Sequence, residues 1–260
     1  MKRNLKIFFL LSRYSIKTMI QHRVGAISFI TGKLIRFSLT FLFIYFLVSK
    51  TRLLAGYTLQ QTLIFFLTFN FIDSFVQLLF REVYRFRPLI VSGEFDNVLV
   101  KPYHPFIRIL IGGLDILDGF TMIPYFLILF YFVSQIRNIH LSHILLYIGF
   151  IINAIIVAAG FHIIILAVGI LTTEVDNITL MYRDFTKMVS IPIDIYREPL
   201  RSILMFVIPV GIMMAVPVKM LLGLYSTNLF IMSIVISALF VIFSYFLWNK
   251  ALHKYQSWGG

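Results

Sequence analysis

From Ile144 to Leu171 the chain runs without a single Asp, Glu, Lys or Arg. An apolar run of this length suits a helix crossing a bilayer, which needs about 20 mostly apolar residues. Five further stretches have the same character: Val24–Val48, Tyr57–Phe80, Phe106–Val133, Ile203–Leu222 and Leu229–Trp248. Barrel strands would instead alternate apolar and polar positions over about 10 residues, and runs such as Ile151–Ile156 and Ile163–Val168 do not alternate. The expected fold is therefore all-α and integral to a membrane, with six transmembrane helices. Composition agrees, with 60% hydrophobic and 13% charged residues, where a soluble domain carries about 45–50% and roughly 25%. Too little polar surface is present to cover a water-soluble globule.

Charge placement gives an expected orientation. With the N-terminus in the cytoplasm, seventeen of the 23 Lys and Arg fall in the inside segments 2–23, 81–108, 183–201 and 250–254. The outside loops hold four, Lys50, Arg52, Arg137 and Lys219, and Lys33 and Arg36 lie within the first span. The net charge of +12 thus reads as the positive-inside bias, not as a nucleic-acid surface. Both termini are expected on the cytoplasmic side of a bacterial plasma membrane. The layout is an N-terminal segment 1–23, a membrane domain 24–249 with inside loops 81–105 and 172–201, and a tail 250–260.

The N-terminal segment does not read as a signal peptide, because Lys6, Arg13 and Lys17 interrupt any apolar core. On a helical wheel Lys2, Arg3, Lys6, Arg13, Lys17 and Gln21 share one arc, and Leu5, Phe8, Phe9, Ile16 and Met19 a separate one. This describes an amphipathic helix lying in the inner-leaflet interface; the plainer alternative is an arm that only satisfies topology.

Catalytic and nucleotide-binding motifs are not found. A phosphate-cradling loop needs Gly, four residues, then Gly-Lys-Ser/Thr; Thr31-Gly32-Lys33-Leu34 has the wrong spacing and lies in an apolar segment. The chain has no cysteine, and its six histidines include only one close pair, His140 and His143. Asp115 and Asp118 are paired carboxylates with no accompanying nucleophile and base. No catalytic residue, cofactor site or metal site is assigned, and an ATP-driven version of this protein would borrow its motor.

The first inside loop carries the most information. Ser92 and Gly93 can start a helix whose first turn holds Glu94 and Asp96, suited to the positive end of the helix dipole. Phe95, Val98 and Leu99 give it one apolar face, and Pro102 limits it. Such a helix could dock into a partner's groove or float on the inner leaflet. The string Gly93-Glu94-Phe95-Asp96, followed by Leu99 and Lys101-Pro102, resembles the signature loop of permease subunits of type-2 ATP-binding-cassette exporters. Further matches are Pro192-Ile193-Asp194-Ile195-Tyr196 with Leu200-Arg201, Pro209 and Pro217, and the end Tyr255-Gln256-Ser257-Trp258-Gly259-Gly260. Phe95 and Trp258 stand where leucine and alanine are more usual in that family.

The resemblance implies an exporter permease without an ATPase domain, paired with a second permease, identical or paralogous, and with two cytosolic ATPase subunits that carry ATP and Mg²⁺. It also implies that residues Gly93, Glu94, Phe95, Asp96, Val98, Leu99 and Pro102 couple the ATPase to the membrane, with Phe95 as the expected anchor. The alternative from another class is a membrane scaffold or sensor subunit with no pathway of its own.

Two expectations concern the membrane interior. At about 1.5 Å per residue, Lys33, Arg36, Asp73, Asp115 and Asp118 fall at similar depth, and Asn70, Asp73 and Gln77 share one face of the second span. Unpaired charge there costs on the order of 2.5–3.5 kcal/mol or more per residue, so one internal network is expected; otherwise the bases snorkel and the acids sit protonated. Pro209 and Pro217 are expected to break the fifth span, making Val210–Leu224 re-entrant, or else to leave only a mild kink.

Overall fold

The structure, a computed structural model, describes residues 2–137 and 139–256. The final residues of the C-terminal motif, Ser257–Gly260, lie outside the described residues. Helices α1 (Lys2–Gln21) and α2 (Arg23–Thr51) are separated only by His22. A tight turn at Ala55 and Gly56, both with positive φ, pairs Leu54 with Tyr57 and leads into α3 (Leu59–Phe80). Thr58 and Gln61 start that helix with reciprocal side-chain-to-backbone hydrogen bonds, satisfying two of its orphan amides. A 3₁₀ turn at Arg81–Arg85 then joins α3 to two short helices, α4 (Phe86–Val91) and α5 (Glu94–Leu99).

The third apolar stretch differs from expectation at its start. Ile107–Ile111 form a separate π-helical turn, and α6 (Ile116–Ser134) begins only after Gly112 and Gly113. Gly112 has φ of +58°, and a Cβ there would sit 2.4 Å from Cγ of Glu82. A Cβ on Gly113 would sit 2.8 Å from the backbone of Leu11 in α1, so glycine is what lets α1 approach. The Ser12 hydroxyl accepts from the Leu114 amide at 3.2 Å across the same contact. The face of α1 turned to the protein runs through Phe8, Leu11, Ser12, Ser15 and Met19, while Leu5 and Phe9 of the expected apolar arc stay exposed with Arg3, Lys6, Arg13 and Lys17. Asp115 caps α6 by accepting from the Leu117 amide at 3.1 Å.

The centre of the bundle is α7 (Leu141–Thr172), packed against α3 and α12 (Thr227–Lys254). Asn153 donates to the Ser237 hydroxyl at 3.0 Å between α7 and α12, and Gly160 lets the Phe240 ring come close. Helices α2, α3, α6, α7 and α12 are long and apolar enough to cross a membrane.

The expected inside loop 172–201 is corrected. It contains α8 (Val175–Met188), and the chain from Val175 to Gly223 runs from one end of α7 to the other. Val175 packs on Gly169 near the C-terminal end of α7, Tyr182 meets Phe161 at a tilt and His162 edge-on further back along it, and Tyr225 meets the ring of His143 at its start. The cause is amphipathicity. Val175, Thr179, Tyr182, Thr186 and Val189 are buried on one face, while Asp176, Asp184 and Lys187 occupy the other, so mean hydropathy conceals the helix. The fifth apolar stretch is not one helix. After α9 (Leu200–Ser202) come a π turn (Ile203–Val207), α10 (Val210–Met214) and α11 (Val216–Leu221). Pro209 stands immediately before α10, and Pro217 lies in the first turn of α11, where its missing amide hydrogen costs nothing.

Candidate functional site

Four helices enclose a partly open cavity of about 360 Å³. From α2 it takes Lys33, Arg36, Phe37 and Thr40; from α3, Phe66, Phe69, Asn70 and Asp73; from α6, Tyr125; and from α8, Arg183, Thr186 and Lys187. Sequence reasoning singled out Lys33, Arg36, Asn70 and Asp73. Arg183 and Lys187 escape it because the hydropathy of α8 reads as a loop. The signal available was the spacing of Val175, Thr179, Tyr182 and Thr186, which alternates four and three residues.

Beside the cavity, most of the expected intramembrane charges join in one network. Lys33 on α2 pairs with Asp118 on α6, which is fully buried. Arg81, at the end of α3, reaches Asp118 at 3.7 Å and Asp115 at 3.8 Å. Gln77 links the ends of the set: its amide donates to Asp73 at 3.2 Å and its carbonyl accepts from Arg81. The Lys33–Asp118 pair and the two contacts of Arg81 cross from one helix to another, so the network ties α2, α3 and α6 together. Arg36 and Asn70 line the cavity instead, the Asn70 amide donating to the Phe66 carbonyl at 2.7 Å. Arg81 continues the polar stripe of α3 by one turn and could have been read from that spacing. A second pair, Arg108 with Glu82, closes the inner end under α1.

At the opposite end, a cluster absent from the sequence reading holds the broken segment 200–221. Asp194 accepts from Lys219 at 2.9 Å, from Arg201 at 2.9 Å and from the Tyr57 hydroxyl at 2.8 Å. The connection Val189–Pro199 that carries Asp194 lies beyond the spanning helices, beside the turn that presents Tyr57. Burial alone would raise the Asp194 pKa, but the bond and charge of Lys219, the Tyr57 hydroxyl and Arg201 hold it below the usual carboxylate range. Burial first, and then the hydrogen bond to Asp194, push the Tyr57 phenol well upward, so it stays a donor.

The loop expected to couple to a partner forms α4 and α5 as a compact hairpin, with Gly93 supplying the left-handed backbone between them (φ +73°). One expectation is corrected here. Phe95 does not face outward: it is 0% exposed, packed edge-on against Phe86 at 5.2 Å and Tyr255 at 5.1 Å. Val98 is buried with it and Leu99 partly so. The apolar face of α5 closes the protein's own inner end, because a bare six-residue helix gains more from burying that face than from holding it in water. The outward surface consists of Val91, Glu94, Asn97, Val100, Lys101 and Pro102, with Val100 80% exposed.

Long apolar helices around a charged cavity, with a small ridge at one end, are the make-up of a multi-pass membrane protein. The family model described as ABC-2 family transporter protein matches residues 34–259, and the chain belongs to that family as an ABC-2 type permease subunit. Membership implies association with an ATPase subunit. Searches of curated proteins and of solved structures find no match.

Proposed function

We propose that the protein is the membrane permease of an ATP-driven exporter, sharing a substrate pathway with a second, identical or paralogous permease. Two cytosolic ATPase subunits would bind ATP and Mg²⁺ and supply the power. The cavity among α2, α3, α6 and α8 carries this reading, since a charged, partly open chamber within a membrane bundle suits a pathway that a second permease completes. In this reading α8 makes the sixth crossing, and the broken segment 200–221 returns into the bundle from the far side. The Lys and Arg of residues 2–23, 81–108 and 250–254 then mark the cytoplasmic side of a bacterial plasma membrane, with α1 on the inner leaflet.

The outward ridge of α4–α5 is the proposed ATPase contact. Its small apolar points, Val91 and Val100, and its acid Glu94 offer a partner both a socket fit and a charge to match. Phe95 serves that contact from behind, by fixing the ridge to the tail through Tyr255. The test is affinity purification of the tagged chain from its native membrane, followed by transport assays on the reconstituted complex. Co-purification of an ABC ATPase and ATP-dependent movement of a solute support the reading. A stable complex lacking any ATPase, with no nucleotide-dependent transport, overturns it and leaves the scaffold role.

A further inference from the structure

The charges around the cavity do not balance. Four cations line it, Lys33, Arg36, Arg183 and Lys187, against one carboxylate, Asp73. Lys33 is engaged by Asp118, and Lys187 by Asp184 at 2.9 Å. Among the described residues, neither Arg36 nor Arg183 has a carboxylate within ion-pair distance. Asp73 lines the same cavity but stands beyond ion-pair distance of both, its oxygens accepting from the Gln77 amide at 3.3 and 3.2 Å.

Both arginines also stand well along their helices, Arg36 exposed and Arg183 half-buried. Arg183 is eight residues into α8, roughly 12 Å from its start, and Arg36 is about 20 Å along α2 from Arg23. In a hydrocarbon core about 30 Å thick, cations so placed require an anion or water for company. Guanidinium groups are suited to bind phosphate-type oxygens through paired N–H donors. The remaining lining divides between small polar groups, Thr40, Asn70, Thr186 and Ser190, and an aromatic wall where Phe37 stacks on Phe66 at 5.4 Å and packs tilted against Tyr125 at 4.4 Å, with Phe69 beside them.

We infer that the cavity receives an anionic amphiphile, its phosphate-type head held between Arg36 and Arg183 and its apolar body lying along Phe37, Phe66 and Phe69. The inference rests on the permease reading for calling this molecule a substrate, but the site itself is independent of transport. A lipid-like molecule would enter from the side with head and tail together, whereas a free phosphate ion would use the arginines alone.

The test measures equilibrium binding of dodecyl phosphate to the full chain in phosphatidylcholine nanodiscs. Dodecyl maltoside serves as the uncharged comparator and inorganic phosphate as competitor. Dodecyl phosphate is expected to bind at least tenfold more tightly than dodecyl maltoside. Arg36→Gln/Arg183→Gln should weaken it at least tenfold at an unchanged melting temperature, Arg183→Lys, which keeps the charge but not the paired donors, should weaken it less than the double variant, and Arg137→Gln, remote from the cavity, should leave it unchanged. Should the double variant fail to fold, Lys187→Glu places a carboxylate at an exposed position of the rim and should also weaken binding at least tenfold. Equal binding of the two amphiphiles, or wild-type affinity in the variants that fold, overturns the inference. Displacement by inorganic phosphate at concentrations matching dodecyl phosphate also overturns it, in favour of a free-anion site. Binding needs no ATPase, so a chain that binds but never transports refutes only the permease reading, and one that transports without binding refutes only this inference.

Discussion

Lys219 and Asp194 meet at 2.9 Å across 25 residues of chain, joining the last helix of the broken segment to the connection after α8. Lys219 is nearly buried and Asp194 mostly so, so neither charge can turn to water when its partner is lost. Breaking a buried pair from one side costs about 3–5 kcal/mol, while replacing both partners with neutral groups costs less. Lys219→Met and Asp194→Asn should each lower the melting temperature in detergent, and the double variant should melt above the worse single one. Equal melting for all four proteins would show that the pair holds nothing.

The same pair sets an acid limit. A carboxyl whose folded pKa lies below its unfolded value, about 3.9, stabilises the fold above that value and loses the contribution as pH falls through the folded one. Asp194 is therefore expected to support stability fully at pH 5 and above, and progressively less below about pH 4. Melting curves between pH 3 and pH 6 should show a smaller acid loss in Asp194→Asn than in the wild type, and parallel curves would refute the linkage.

Phe95→Ala removes a fully buried ring from between Phe86 and Tyr255. Such truncations cost about 3–5 kcal/mol, so the variant should lose stability first and partner binding only as a consequence. Val100→Asp changes a side chain that is 80% exposed, and it should leave melting unchanged while reducing ATPase capture at least tenfold. Wild-type ATPase capture by Val100→Asp would remove the ridge from the proposed contact.

How much of this was legible depended on where polarity fell. Helices α2, α3, α7 and α12 could be read because their apolar runs exceed a bilayer's thickness, and the bounds differ by only a few residues. Hydropathy alone makes α6 ten residues too long at its start, because it does not register that Gly112 needs a left-handed backbone. Helix α8 was lost altogether, since a helix lining a charged cavity must carry charge, and that same charge made it look like a loop. Asp73, Asp115 and Asp118 were visible as expensive acids, but hydropathy could not say which base each would meet. The Asp194 cluster joins Tyr57, Asp194 and Lys219 from three distant segments, and no local pattern announces it.

The Lys33–Asp118 pair offers the sharpest separation of structure from pathway. Asp118 is fully buried and bonded to Lys33, and Arg81 is near it at 3.7 Å. Lys33→Met leaves that carboxylate facing only Arg81 and should cost about 3–5 kcal/mol, the usual penalty for stripping one partner from a buried pair. Asp118→Asn strands the ammonium instead and should cost a similar amount. Because the two residues act as one unit, the double variant Lys33→Met/Asp118→Asn should be less destabilised than the sum of the singles by at least about 1 kcal/mol, within the range of coupling seen for contacting residues. The measurement is a double-mutant cycle on unfolding in a fixed detergent. An additive cycle would mean that Lys33 and Asp118 are stabilised separately, Lys33 by the cavity and Asp118 by Arg81, and the network would then not tie α2 to α6.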